Sequence, residues 1–364
     1  MKIRKAFIFI FVGLFFAIAN SYTVSAQGGN NQSDSTLNAA TRSQVIEGVI
    51  KRFNQSYIFP EVAKAMEQSV RERMRKGEYD KITSASVLAE TLTVNLRQIS
   101  KDTHVQVVFS NKPLPPMNEI KREESPSERE KRRLNYARSN NGFLKVERLP
   151  GNVGFLDIDL FVDPAFAGYT STAVMNFLAN TDTLIIDLRY CPGGNGEMVT
   201  LLSGYFFADS VHLGDYYQRE DDVTKQSWTL PYVPGQRYLN KDIYILTSSR
   251  THSAAEAFAY NLQSLKRATV VGEVTRGGAH PVGRYRITEH FGVQVPVGRY
   301  INAVTKTNWE GKGVMPDIQT TADKAFKLAH LTALKRILER NPNQESANDI
   351  KQLIEKLEKE TNAK

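Results

Sequence analysis

The stretch 247–273, TSSRTHSAAEAFAYNLQSLKRATVVGE, places a serine where a strand gives way to a helix. The apolar run 243–246 reads as a short strand, and a tight polar turn follows it. Ser253 then opens an amphipathic helix with Ala257, Phe258, Leu262 and Leu265 on its apolar face, and a second strand follows at 268–271. The unpaired amides and positive end of such a helix can stabilise an oxyanion. Ser253 and Glu256 also read as a capping box, which by itself would make the serine a structural cap. A serine nucleophile needs a base, a group that orients the base, and oxyanion donors. Gly193 and Gly194 follow an apolar strand, so their amides, with that of Ala254, could form an oxyanion hole; an ordinary tight turn is the structural alternative. The base would be one of six histidines: His104, His212, His252, His280, His290 or His330. His104 starts a strand beside Asp102 and Thr103, two polar residues able to orient its ring. Pattern alone leaves both His104 and His280 open.

These residues need a scaffold, and the periodicity supplies one. Val45, Val49, Ile50 and Phe53 recur at helical spacing from Arg42, and the Tyr57 to Pro60 stretch stops that helix. Further helices are expected over 61–75 and 86–99, followed by a strand at 105–109. Residues 111–142 are rich in charge and proline. They read as a flexible linker or an exposed helix over a cleft, and no globular insert fits between Phe109 and Phe143. The α/β pattern begins at Phe143. It predicts strands at 153–158 and 183–188, helices at 165–178 and 197–206, and a hairpin within 282–300. A glycine-rich loop follows at 309–317, then helices at 322–340 and 347–360. The expected division is a helical domain over 42–110, a catalytic domain over 143–340 and a helical tail over 341–364.

Residues 1–26 read as a secretory signal peptide: Lys2, Arg4 and Lys5 are basic, 6–19 are apolar, and Val24-Ser25-Ala26 is a small-residue cleavage site before Gln27. The apolar run is short for a membrane span of about 20 residues. A polar, disordered lead-in is expected over 27–41. Cys191 is the only cysteine, so no intrachain disulfide can form. The formal charge is +8, and the three cations of the leader leave +5 on the rest, too diffuse to argue for nucleic acid. The single cysteine and the absence of a histidine pair at ligand spacing give no expectation of a metal or cofactor.

Taken in order, these features resemble the S41 peptidase superfamily of C-terminal-processing, tricorn-core and interphotoreceptor-retinoid-binding-protein-like proteins, over about Arg42 to His330. The anchors are Asp102-Thr103-His104, the turn from Asp187-Leu188-Arg189 to Gly194, and Ser253-Ala254-Ala255-Glu256. The others are Gly272-Glu273-Val274-Thr275, Gly277 to Pro281, and Asn308-Trp309-Glu310 through Pro316-Asp317. Processing proteases with a Ser–Lys dyad carry a lysine shortly after the Gly-Glu-x-Thr turn; here the aligned position is Gly278. Arg276 is no substitute, because a guanidinium does not deprotonate. A PDZ module has no room either. The chain therefore resembles the tricorn-core and retinoid-binding-protein-like branch, where the base is a histidine held through a hydroxyl neighbour and a glutamate. By that resemblance these are His104, Thr103 and Glu310. The resemblance implies a crotonase-like α/β catalytic domain behind an N-terminal helical domain, in an exported serine endopeptidase acting on a peptide or protein. It also admits a second reading, a non-catalytic binder of a retinoid or fatty acid, and more weakly a scaffold for partner peptides. Trp309 would be a lid anchor or a substrate-facing aromatic.

Overall fold

Three helices lead the chain: α1 (Ala39–Ser56), α2 (Pro60–Arg75) and α3 (Ala85–Ser100). The structure is a computed structural model that describes residues 36–115 and 124–362. The expected leader, 1–26, and the lead-in as far as residue 35 lie outside the described residues. α1 begins three residues before Arg42, because Asn38 caps it by accepting from the Thr41 amide at 2.8 Å. Its inward face is the expected one, with Val45, Val49, Ile50 and Phe53 all buried. α3 ends at Lys101, whose φ of 57° turns the chain sharply into Asp102, Thr103, His104 and β1 (Gln106–Phe109). Within the charged stretch lies α4 (Pro126–Arg138), closed by a Ser125–Glu128 capping box and carrying no buried residue. Over 126–138 the charged stretch is therefore an exposed helix, where the sequence favoured a linker.

β2 (Phe143–Leu149), β3 (Val153–Ile158), α5 (Pro164–Leu178), β4 (Thr183–Asp187) and α6 (Gly196–Gly204) follow in order. Next come β5 (His212–Gln218), β6 (Val223–Trp228), β7 (Asp242–Thr247), α7 (Ala254–Ser264) and β8 (Thr269–Gly272). The chain closes with β9 (Val282–Arg286), β10 (Phe291–Pro296), β11 (Gly298–Asn302), β12 (Ile318–Gln319), α8 (Ala322–Arg340) and α9 (Ala347–Asn362). The central sheet has six strands in the order β12-β8-β7-β4-β3-β2. All its pairings are parallel except β2 with β3. Its inner strands β4 and β7 are buried on both sides because both faces are covered. Leu184, Ile186, Ile243 and Ile245 pack toward α5, α6 and α7, whereas Ile185, Tyr244 and Leu246 pack toward α8.

The expected hairpin within 282–300 forms between β9 and β10, but the chain then leaves it. β11 pairs with β5, so the small sheets are β1-β10-β9 and β11-β5-β6. Gly298 allows this departure: a Cβ there would lie 2.7 Å from the Tyr217 carbonyl oxygen. β2, β5 and β6 were not expected from the sequence; β6 is almost wholly exposed and has no apolar alternation to betray it. Among the described residues no helix is long and apolar enough to cross a membrane.

Candidate active site

Ser253 stands at the end of the turn between β7 and α7 with φ 55° and ψ −120°. A non-glycine residue holds a positive φ at a cost, and only where neighbours over-determine it. Here they do. The Ser253 amide donates to Glu256 Oε2 at 2.7 Å, and the preceding His252 amide donates to the Cys191 carbonyl at 3.1 Å. Glu256 is fully buried and serves more than the cap read from the sequence. It also accepts from the amides of Gly277 and Gly278 at 2.6 and 2.9 Å, and from the Thr275 hydroxyl at 2.5 Å. One carboxylate thus ties the serine turn to the loop after β8.

The glycine turn after β4 reaches the same place. A Cβ on Gly193 would lie 2.8 Å from Ser253 Cβ and 2.9 Å from the Ala254 nitrogen, and both Gly193 and Gly194 have positive φ. Only glycine allows that approach. Among the described residues the amides of Gly193, Gly194 and Ala254 donate to no protein acceptor, so the three predicted oxyanion donors stand together and unspent. Arg189 holds the start of this turn through hydrogen bonds from its guanidinium to Asp187, at 2.9, 3.1 and 2.6 Å, and to the Ala322 carbonyl at 2.7 Å.

His104 arrives from the link between α3 and β1. Its Nδ1 lies 3.0 Å from Asp102 Oδ1 and 3.2 Å from Glu310 Oε1. Burial opposes a charge on this ring, but the hydrogen bonds to Asp102 and Glu310 outweigh it and raise its pKa to about 9. Asp102 shows the reverse balance. Burial favours its neutral form, yet hydrogen bonds from His104 and His280 hold it well below the usual carboxylate range. Burial works against the Glu310 charge too, and the His104 hydrogen bond and His280 charge still lower its pKa. Glu310 Oε2 accepts from the amides of Ala279 and His280 at 2.6 and 2.9 Å, so the carboxylate is fixed in place. The other side of the His104 ring faces the serine turn. A Cβ on Gly278 would sit 3.1 Å from His104 Nε2 and 2.1 Å from His252 Nε2. His252, next to Ser253, stacks on His104 with ring centroids 6.0 Å apart and planes at 21°.

The structure therefore gathers Ser253, His104, Glu310, Gly193, Gly194 and Ala254. It does not bring Thr103 to the ring. Thr103 is exposed and its carbonyl accepts from Arg97 at 2.7 Å, while its neighbour Asp102 turns inward to the imidazole. No hydrogen bond joins Ser253 Oγ to a histidine among the described residues, and catalytic bonds are often long before substrate binds. Trp309 is buried between Tyr260 and Tyr300, with centroids 5.4 and 5.5 Å away, so it anchors the Glu310 loop to the body of the protein. His212, His290 and His330 lie elsewhere, bonded to Asp215 and to the carbonyls of Ser110 and Pro150. Sequence reasoning counted His252 only among six candidate bases and did not place it against His104, and it missed the full reach of Glu256; for both, the only further signal was adjacency to Ser253.

A strand–turn–helix serine, free amides and a carboxylate-held histidine on an α/β sheet define the frame of a serine hydrolase. The family comparisons agree with it. A model of Peptidase family S41 matches residues 152–320, and a model of the N-terminal domain of Peptidase S41 in eukaryotic IRBP matches residues 36–136. The chain belongs to peptidase family S41. It is similar to the carboxyl-terminal-processing protease of Synechocystis sp., 26% identical over 169 residues that make up 46% of this chain and 38% of that relative. It is also similar to the tail-specific protease of Haemophilus influenzae, 34% identical over 103 residues, 26% of this chain and 13% of that one. The matched stretches thus span well under half the length of these relatives. Of solved structures, mature CPAF aligns with a TM-score of 0.58 at 13% identity, covering 84% of this chain and 99% of the other. A lipoprotein from Streptococcus agalactiae aligns at 0.51 and 16% identity, covering 80% and 96%. At such identities the likeness is one of fold.

Proposed function

We propose that the chain is a serine peptidase in which Ser253 attacks a peptide carbonyl and His104 takes its proton. The observation that carries this reading is the His104 imidazole, clamped on Nδ1 by two carboxylates and directed by Nε2 toward the loop beside the serine turn. Asp102 and Glu310 would fix the tautomer and stabilise the imidazolium formed on attack. The amides of Gly193, Gly194 and Ala254 would hold the oxyanion, and His104 would return the proton to the leaving amine. Gly278, where the dyad branch would keep its lysine, supports the same reading. A side chain there would overlap His252 Nε2 and press on His104 Nε2, so a lysine at 278 would require the imidazoles to move. The test is Ser253→Ala. It should abolish peptide hydrolysis and labelling by a fluorophosphonate, with at most about 1–2 kcal/mol lost if a capping contact goes with it. Full turnover in that variant would leave Ser253 as a cap only.

We further propose that the protein is exported and that the helical and α/β parts act together on a peptide or protein substrate. The leader is expected to be cleaved after Ala26, and N-terminal sequencing of the exported protein should read from Gln27. A product that retains residues 1–26 would instead indicate a membrane anchor.

A further inference from the structure

Each carboxylate at the base uses its two oxygens on opposite sides. Asp102 Oδ1 and Glu310 Oε1 face His104, while Asp102 Oδ2 and Glu310 Oε2 face His280 Nδ1 at 3.4 and 3.7 Å. The second pair of distances is long for a hydrogen bond from a ring nitrogen, which is best near 2.9–3.0 Å. The His280 side chain is only 7% exposed, so its Nδ1 is a buried polar atom aimed between two anions, with one long hydrogen bond to Asp102 Oδ2 at 3.4 Å. All three ligand atoms lie within 4.8 Å of one another. A tetrahedral Zn²⁺ with bonds of about 2.0–2.2 Å sets its ligand atoms roughly 3.3–3.6 Å apart, which the two His280 distances nearly match. The carboxylates are also held by outer contacts of the kind that orient metal ligands. Glu310 Oε2 accepts two amides, and Asp102 accepts the His104 amide at 2.9 Å and the Tyr57 hydroxyl at 3.4 Å.

Access is a separate observation. A cleft of about 870 Å³ reaches Asp102, His280 and Glu310 beside Tyr57 and Phe59, and neither Ser253 nor His104 lines it. An ion could enter from this side without crossing the nucleophile. Lys101, Arg299, Lys306 and Lys312 on the same cleft oppose a cation, so the attraction must come from the two carboxylates at close range.

We propose that Asp102, His280 and Glu310 form a reversible site for a divalent transition-metal ion of the Zn²⁺ class. One imidazole and two carboxylates suit that class, and a water in the cleft would complete four-coordination. Occupancy inhibits: a dication shares the carboxylate charge that stabilises the His104 imidazolium, while leaving the oxyanion donors untouched. Inhibition rests on the peptidase reading; binding does not.

The experiment uses the full chain after chelator treatment, titrated with Zn²⁺ by calorimetry and with Co²⁺ by visible absorption. One ion per chain is expected, with the intense Co²⁺ bands of a four-coordinate nitrogen–oxygen site. His280→Ala should weaken binding at least ~10-fold, and His212→Ala, at the separate His212–Asp215 pair, should not change it. Zn²⁺ should lower kcat for peptide hydrolysis more than it changes KM, reversibly on adding chelator, with a smaller effect in His280→Ala. No stoichiometric binding to wild type, only the weak bands of six-coordinate Co²⁺, or unchanged affinity in a folded His280→Ala would each overturn the site. Binding without hydrolysis in either state would sink the peptidase reading alone, and metal-insensitive hydrolysis would sink the inhibition alone.

Discussion

A base can accept a proton only when neutral, and His104 is held protonated to about 9 by the carboxylates beneath it. In chelator-containing buffer the free enzyme's kcat/KM should therefore rise with pH, with the midpoint of its acid limb near 9 rather than at the ordinary ~6.5 of histidine. The sign follows from the role: lower pH fills the Nε2 lone pair and removes the acceptor. Glu310→Gln takes away one of the two anions, so it should move the limb to lower pH and reduce the plateau. It should cost less than losing the base, since Asp102 still holds Nδ1 at 3.0 Å. His104→Ala should be about as damaging as Ser253→Ala, because groups acting as one unit are not additive. His280→Ala should reduce activity only modestly. A wild-type limb near 6.5 would contradict the clamped imidazole, and an inactive His280→Ala beside an active His104→Ala would move the base to the other ring.

At the scale of elements, the amphipathic helices and the doubly buried strands were legible because burial imposes a period on the sequence. β4 reads as Thr183, three apolar residues and Asp187, and the structure buries all five. The choice between Asp102 and Thr103 was not legible. Both adjoin His104, and only the left-handed Lys101 that ends α3 decides which one turns inward. Nor could spacing reveal a ligand set drawn from residues 102, 280 and 310, since a search for neighbouring histidines sees one segment at a time. The departure of β11 to β5 was hidden for the same reason: hairpin alternation fixes a local partner and says nothing of a distant one. Glu256 was read as a cap, yet its carboxylate accepts from Ser253, Thr275, Gly277 and Gly278 and so joins three elements. Glu256→Ala should leave four donors without their acceptor and destabilise the protein by at least about 3 kcal/mol. Urea denaturation measures it. A loss near that of a simple cap, about 1 kcal/mol, would show that the loop after β8 is held by something else.

The helical and α/β parts share more than a linker. Val45, Val49 and Phe53 of α1 pack in one core with Phe291, Val293 and Val295 of β10, and β1 pairs with β10 along its length. The Ile58 amide donates to the Pro296 carbonyl at 2.8 Å, and Arg219, after β5, reaches back to the Asn54 carbonyl at 2.7 Å. The base and the nucleophile come from opposite sides of this junction, so the arrangement that places His104 also glues the two parts together. Uncovering Phe291, Val293 and Val295 would forfeit about 1.5–3 kcal/mol for each side chain. The sum is comparable with the 5–15 kcal/mol that holds a typical domain together. Residues 143–340 produced alone should therefore fail to fold cooperatively and should not label with a fluorophosphonate, even though they contain Ser253 and its oxyanion donors. The complete chain should unfold in urea as one transition, with far-UV circular dichroism and the fluorescence of buried Trp309 changing together. Two separated transitions, or a 143–340 fragment with a sharp transition of its own, would show that the helical part is a detachable domain, and that the shared core contributes less than its burial implies.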